Sequence, residues 1–121
     1  MILVVDDSPV IRSLVVAALS HVNLGVREAD SGASALRICA QEAIDAVLLD
    51  VELRGENGVN VGRRLKSERA TAAIPIILMS GHSEDDVDDR QHIADYFLAK
   101  PFTLDQVQQV VQQALAHEAA R

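Results

Sequence analysis

Tryptophan is absent, and one tyrosine and two phenylalanines are the only aromatic side chains. An interior with so few rings has to be filled by aliphatic residues, and 49% of the chain is apolar. A single cysteine, Cys39, excludes an internal disulfide and suits a reducing compartment. It reads as a small core residue. No apolar run approaches the roughly 20 residues of a membrane span. Met1–Val5 lacks the basic start and the length of a signal peptide. Together these absences predict a cytoplasmic protein with no membrane partner. Cations are short as well: 11 Lys and Arg face 18 Asp and Glu, a net charge of −7. Such a balance argues against direct binding of a nucleic-acid backbone, which needs clustered Lys and Arg. The length, 121 residues, fits one domain over 1–121 with a core of its own.

What is present is an alternation of strand-like and helix-like segments. Ile2–Val5 reads as a strand, followed by Ser8 as N-cap and Pro9 in the first helical turn. Val10, Ile11, Leu14, Val15, Ala18 and Leu19 then recur at helical spacing. Val26–Ala29 is a weaker strand, and Ser31 caps a helix with Ala35, Leu36, Cys39 and Ala40 on its inner face. Ala46–Leu49 is a continuous apolar strand, and the loop ELRGENG leads to a helix over about 59–69 with Val61 and Leu65 inward. Ile74–Met79 is the fourth strand, with Pro75 near its start. Ser83 can cap a polar helix whose first turn, Glu84 to Asp86, complements the helix dipole. Its clear apolar anchors are Val87, Ile93 and Ala94. Tyr96–Ala99 is the fifth strand, and Thr103 with Gln106 forms a capping box for the last helix. That helix carries Leu104, Val107, Val110, Val111, Ala114 and Leu115. His21, His92 and His117 read as exposed helix residues. Repeated β–α units with apolar strands predict an α/β fold, a doubly wound parallel sheet with helices on both faces.

In such sheets ligands bind outside the carboxyl ends of the strands. There the sequence places Asp6 and Asp7 after the first strand, Asp50 after the third, Ser80 after the fourth and Lys100 after the fifth. If the first and third strands are neighbours, about 4.8 Å apart, three carboxylates converge and repel one another unless a cation joins them. Oxygen ligands without His or Cys favour Mg2+. A metal, a lysine and a hydroxyl around one carboxylate are the equipment for phosphoryl transfer onto it. Singly, each residue has an ordinary reading: helix N-terminal acids, a loop aspartate, a strand-ending hydroxyl, a solvated amine. The combination does not.

VVDDS at the first strand, DAVLLD with Gly58 eight residues after the aspartate, IILMSG, and DYFLAKPF stand in that order. With them the chain resembles, over essentially its whole length, a receiver domain of two-component response regulators. The resemblance implies a (βα)5 sheet of flavodoxin-like order 2-1-3-4-5 and a single receiver domain over 1–121. Asp50 would be the phosphoacceptor. Mg2+ would be held by Asp7 directly, by Asp6 largely through water, by Asp50, and by the backbone carbonyl of Glu52. Ser80 and Lys100 would each bind a phosphoryl oxygen. Phe97 matches the switch aromatic that turns inward when Ser80 moves, and would otherwise be a plain core aromatic on an edge strand. The Lys100–Pro101 bond would be cis. Ile11, Leu14, Pro101 and Phe102 match the surface that receives the phosphodonor helix. The partners would be a histidine kinase or histidine phosphotransfer protein and a downstream protein target. The domain would be a phosphoacceptor rather than an enzyme, assisting its own phosphorylation and dephosphorylation.

Glu52 and His82 stand where family side chains flank the phosphoryl group, and are otherwise two solvated loop residues. The chain departs from the family pattern at Arg54, where many relatives have proline, and at Ile93, which replaces a glycine. The stretch from Ser80 to Lys100 is slightly short, and its helix unusually polar, which leaves the output surface open. A non-phosphorylated pseudo-receiver acting as an interaction module is the alternative, although its site would be expected to lack the acids or the lysine. An aspartate-nucleophile phosphatase would carry D-x-D rather than adjacent acids, and a flavin binder a hydroxyl- and glycine-rich loop in place of DDSPVIR. With no linker or output domain after AHEAAR, a stand-alone regulator and a receiver from a longer protein are both expected forms.

Overall fold

The apolar run behind Met1 becomes β1 (Ile2–Val5), buried at all four residues. The computed structural model describes residues 1–81 and 93–119. After β1 come α1 (Pro9–Ser20), β2 (Val26–Ala29), α2 (Gly32–Gln41) and β3 (Ala46–Asp50). A hairpin of β4 (Glu52–Leu53) and β5 (Glu56–Asn57) precedes α3 (Gly58–Ser67). β6 (Ile76–Ser80), β7 (Tyr96–Ala99) and α4 (Leu104–Ala119) complete the described elements. The five longer strands form one parallel sheet in the order β2-β1-β3-β6-β7. This is the flavodoxin-like order, renumbered by the hairpin. The expected cap at Ser83, the first turn Glu84 to Asp86, the anchor Val87, and His82 and His92 lie outside the described residues.

Side chains alternate across a strand, so β1, β3 and β6 each serve two cores. On one face Leu3, Val5, Val47, Leu49 and Leu78 pack with Ala35 of α2 and Val61 and Leu65 of α3. On the other, Ile2, Val4, Leu48, Ile77 and Met79 pack with Val15, Ala18 and Leu19 of α1 and Val107, Val111 and Ala114 of α4. The caps form as the sequence predicts. Ser8 Oγ accepts from the Ile11 N–H at 3.3 Å, and Ser31 Oγ from that of Ser34 at 3.2 Å. Thr103 and Gln106 exchange both bonds of the capping box, at 2.8 and 3.1 Å.

Four expectations are corrected. Ala40 is exposed, and Ile38 takes its place against the core beside Leu36 and the half-buried Cys39. α3 starts at Gly58, because Asn57 caps it by accepting from the Val59 N–H at 2.8 Å, and ends at Ser67, where Glu68 turns to extended backbone. The fourth long strand begins at Ile76 rather than Ile74. Pro75 has no N–H for the ladder, and the Ile74 N–H closes a turn onto the Thr71 carbonyl at 3.0 Å. The loop ELRGENG contains the antiparallel β4–β5 pair, with Glu52 opposite Asn57. Ile93 is buried against Gly62, where an added Cβ would lie 2.5 Å from Ile93 Cδ1. The missing side chain on α3 makes room for the large one.

Candidate functional site

Register brings the acids together. Val5 of β1 pairs with Leu49 of β3, so the next residues, Asp6 and Asp50, end neighbouring strands side by side. Asp6 is fully buried and Asp50 is 4% exposed, while Asp7 is partly open to solvent. One oxygen from each of the three lies within 4.8 Å of the others, and no other such acid, His or Cys group occurs among the described residues. Lys100 follows β7 and is joined to Pro101 by a cis peptide bond. Its Nζ lies 2.9 Å from Asp6 Oδ2 and 3.2 Å from Asp50 Oδ1. A cation does join the carboxylates, but it is the protein's own and it bridges only the two buried ones.

The electrostatics follow from that geometry. Burial raises the pKa of Asp50, and the Asp6 charge raises it further, against the opposing pull of Lys100 and of the Glu52 N–H at 3.2 Å. Burial alone would lower Lys100, but its bond to Asp6 and the charges of Asp50 and Asp6 outweigh this and raise it. Asp6 is held from several sides: Oδ1 accepts from the Ser8 N–H at 2.9 Å, and its carbonyl accepts from Arg12 Nη1 at 2.7 Å. Among the described residues, the Asp7 carboxylate meets the highly exposed Arg54, whose Nε is 4.0 Å from Asp7 Oδ2. Arg54, the departure from proline, therefore sits beside the acids as a weak surface partner.

The other predicted site residues fall around this cluster. Ser80 ends β6, half-buried, and its carbonyl accepts from the Lys100 N–H at 2.9 Å. Glu52 starts the hairpin with its side chain exposed. His82, its expected counterpart, is among the undescribed residues. Phe97 is 50% exposed on β7, so the reading as a core aromatic is excluded. Leu14 is 41% exposed and Pro101 is exposed, while Ile11 and Phe102 are half-buried. α1 and α4 lie side by side, linked by Gln108 Nε2 donating to the Ala18 carbonyl at 2.9 Å. Gly58 is required by contact: an added Cβ would stand 1.8 Å from the Asp50 carbonyl oxygen. Sequence reasoning missed Arg12, although an arginine one helical turn after the cap Ser8 faces back toward the acids. It also missed Glu56, which reaches from the hairpin to accept from the Gly32 N–H at 3.3 Å.

Residues 2–112 match the family described as response regulator receiver domain. The phosphate regulon transcriptional regulatory protein PhoB of Pseudomonas aeruginosa is 34% identical over 84% of this chain and 45% of its own length. Protein PilH of the same organism is 33% identical, over 83% of this chain and 84% of its own. Among solved structures, the receiver domain of NtrX from Brucella abortus superimposes with a TM-score of 0.88 at 32% identity, covering 96% of this chain and 98% of that one. The chain spans less than half the length of several transcriptional regulators it matches, including PhoB and the Escherichia coli regulator NtrC.

Proposed function

The chain belongs to the response regulator receiver domain family of two-component systems, and within that family we propose that it is a phosphorylation-controlled switch with Asp50 as phosphoacceptor. The observation that carries this reading is the convergence of Asp6, Asp7, Asp50 and Lys100 at the carboxyl ends of adjacent strands. Asp50 is the acid of that group that ends β3 and touches the lysine at the mouth of the sheet. A carboxylate oxygen of Asp50 attacks the phosphorus of a phosphohistidine donor. The P–N bond breaks, the P–O bond forms, and the donor histidine leaves.

The donor set fits Mg2+: carboxylate oxygens close enough to share one ion, with no nitrogen or sulfur ligand beside them. Asp6, Asp7, Asp50 and the Glu52 carbonyl would hold it. Bound there, Mg2+ would neutralise charge on the transferring phosphoryl group. The chain's own contribution is positional. Lys100 leaves Asp50 to pair with one phosphoryl oxygen, and Ser80 donates its hydroxyl proton to another. Phe97, exposed on the edge strand, turns inward as Ser80 moves and alters the β7 surface. Leu14, Ile11, Pro101 and Phe102 receive the donor, a histidine kinase or histidine phosphotransfer protein. A downstream protein reads the change, and the acidic chain touches no nucleic acid itself. This reading places the domain in the cytoplasm; among the described residues no helix is long and apolar enough to cross a membrane.

Mass spectrometry after incubation with acetyl phosphate and Mg2+ tests the proposal. One phosphoryl adduct should form on the wild type and be lost in Asp50→Asn. Labelling of that variant at the wild-type rate would move the acceptor elsewhere. A wild type that takes no phosphoryl group would be a pseudo-receiver acting as an interaction module.

A further inference from the structure

Every polar group of Asp6 is tied to a different piece of the protein. Its N–H donates to the Ala29 carbonyl of β2 at 3.1 Å. Its two carboxylate oxygens accept from the Ser8 N–H and from Lys100, both at 2.9 Å. Its carbonyl accepts from Arg12 Nη1 at 2.7 Å. Among the described residues Asp7 has no comparable hold on its side chain, since its contact with the exposed Arg54 is 4.0 Å long. The direction in which Asp7 points is therefore set by its backbone. The carbonyl of Asp6 and the N–H of Asp7 belong to one planar peptide unit. Whatever fixes that carbonyl fixes the plane from which the Asp7 side chain departs.

We infer that Arg12 is a positioning residue for Asp7, acting through the Asp6–Asp7 peptide; this rests on the proposed Mg2+ site. The guanidinium is itself oriented. Arg12 Nε donates to Glu28 Oε1 of β2 at 3.1 Å while Nη1 holds the Asp6 carbonyl. Two bonds from one rigid fork define its plane. Its helix is anchored at the same end, because the Arg12 N–H donates to the Ser8 carbonyl at 3.1 Å. The Arg12 side chain is largely covered, at 18% exposure against 48% for Glu28, which favours a fixed geometry over a solvated one. β2, α1 and the β1–α1 loop thus meet on one side chain, and the loop carries the proposed metal ligand.

The sign of the effect separates positioning from charge. Removing a cation near an acidic cluster makes the cluster more negative, and by charge alone Mg2+ should bind more tightly. Loss of positioning makes it bind more weakly. Arg12→Met keeps the apolar stem and removes both donors. Its Mg2+ dissociation constant should rise roughly 10-fold, the scale of outer-shell partners of metal ligands. Arg12→Lys keeps the charge but not the fork, and should rise less, about threefold. Titration of each variant with Mg2+, followed by the backbone amide signals of Asp7 and Glu52, gives these constants directly on folded protein. Lys66→Met is the control for general destabilisation. It removes bonds to the Ala72 and Ile74 carbonyls and to Asp95 at the opposite end of the sheet, and should lower the melting temperature without moving the dissociation constant. Unchanged or tighter binding in Arg12→Met overturns the inference. If that variant does not fold, wild-type affinity in Arg12→Lys overturns it instead. A wild type that does not bind Mg2+ would sink the proposed metal site as well, whereas a normal wild type with normal variants sinks only the role of Arg12.

Discussion

Asp50 sits where a charge is least comfortable, buried beside a second carboxylate, and the backbone around it leaves no slack. Gly58 begins α3 directly over the Asp50 peptide, and a methyl group there would lie 1.8 Å from the carbonyl oxygen. Neither neighbour is a flexible side chain, so the helix start or the acceptor strand has to move. Gly58→Ala should therefore lose about 1–3 kcal/mol of stability, as overpacked sites do, and should also slow acetyl phosphate labelling of Asp50. Gly55 supplies the comparison: it has φ +76 but open space where a Cβ would go. Gly55→Ala should lose about 1 kcal/mol from strain with labelling little changed. Urea melts and labelling rates on both variants separate the effects, and equal labelling in Gly58→Ala would show that Asp50 tolerates the shift. At this scale the acids and Lys100 were legible because each is a charge that ends an apolar strand. Arg12 was not, because its partners are a backbone carbonyl and a residue on another strand. Asp95 was hidden for the same reason, since it accepts from the Ile76 N–H at 2.9 Å and from Lys66 at 3.0 Å.

Elements announce themselves when their signals are local. Ser8-Pro9, Ser31 and the Thr103–Gln106 pair each satisfy helix N–H groups within a few residues, and each cap forms where the sequence placed it. The β4–β5 hairpin did not announce itself, because two-residue strands carry no period. What holds it lies elsewhere in the chain: Glu56 accepts from the Gly32 N–H at the start of α2. α1 shows a different mismatch between pattern and packing. Val15, Ala18 and Leu19 are buried, whereas Val10 and Leu14 of the same apolar stripe are exposed, at 67% and 41%. Apolar residues beyond the needs of the core suit the proposed donor-docking surface. Leu14→Asp should therefore slow transfer from a phosphorylated histidine phosphotransfer domain at least several-fold while leaving acetyl phosphate labelling unchanged. Because Leu14 is not in the core, its change should cost under about 1 kcal/mol of stability. Equal loss with both donors would place the effect in the site rather than on the helix face.

For the whole molecule, the acid cluster is a point where folding and ligand binding share one free energy. The unfolded chain leaves Asp50 far from the adjacent pair Asp6 and Asp7, and folding brings one oxygen of each within 4.8 Å of the others. Mg2+ that binds the folded cleft alone should stabilise the fold: at about ten times the dissociation constant the gain is RT ln 11, about 1.4 kcal/mol. For a domain of this length that is roughly 5 °C in melting temperature. Asp7→Asn should nearly abolish this gain. Asp50→Asn should blunt it, yet melt higher than wild type in EDTA. Burial and the Asp6 charge raise the Asp50 pKa in the folded state. Between the unfolded and folded values the native chain then binds more protons than the unfolded one, so wild-type stability falls as pH rises through that window. Above the folded value the whole penalty is present. On acidification it fades, and below the unfolded carboxylate value, near 4, the two proteins should converge. Lys100 has a second partner in Asp6, 2.9 Å away, so the substitution does not leave its charge unpaired. Melting curves from about pH 4 to 7 at fixed ionic strength, with EDTA and with Mg2+, read both effects. An EDTA melt of Asp50→Asn below wild type at neutral pH would mean that Lys100 already offsets the crowding of the acids, and that folding the cluster carries no penalty for Mg2+ to relieve.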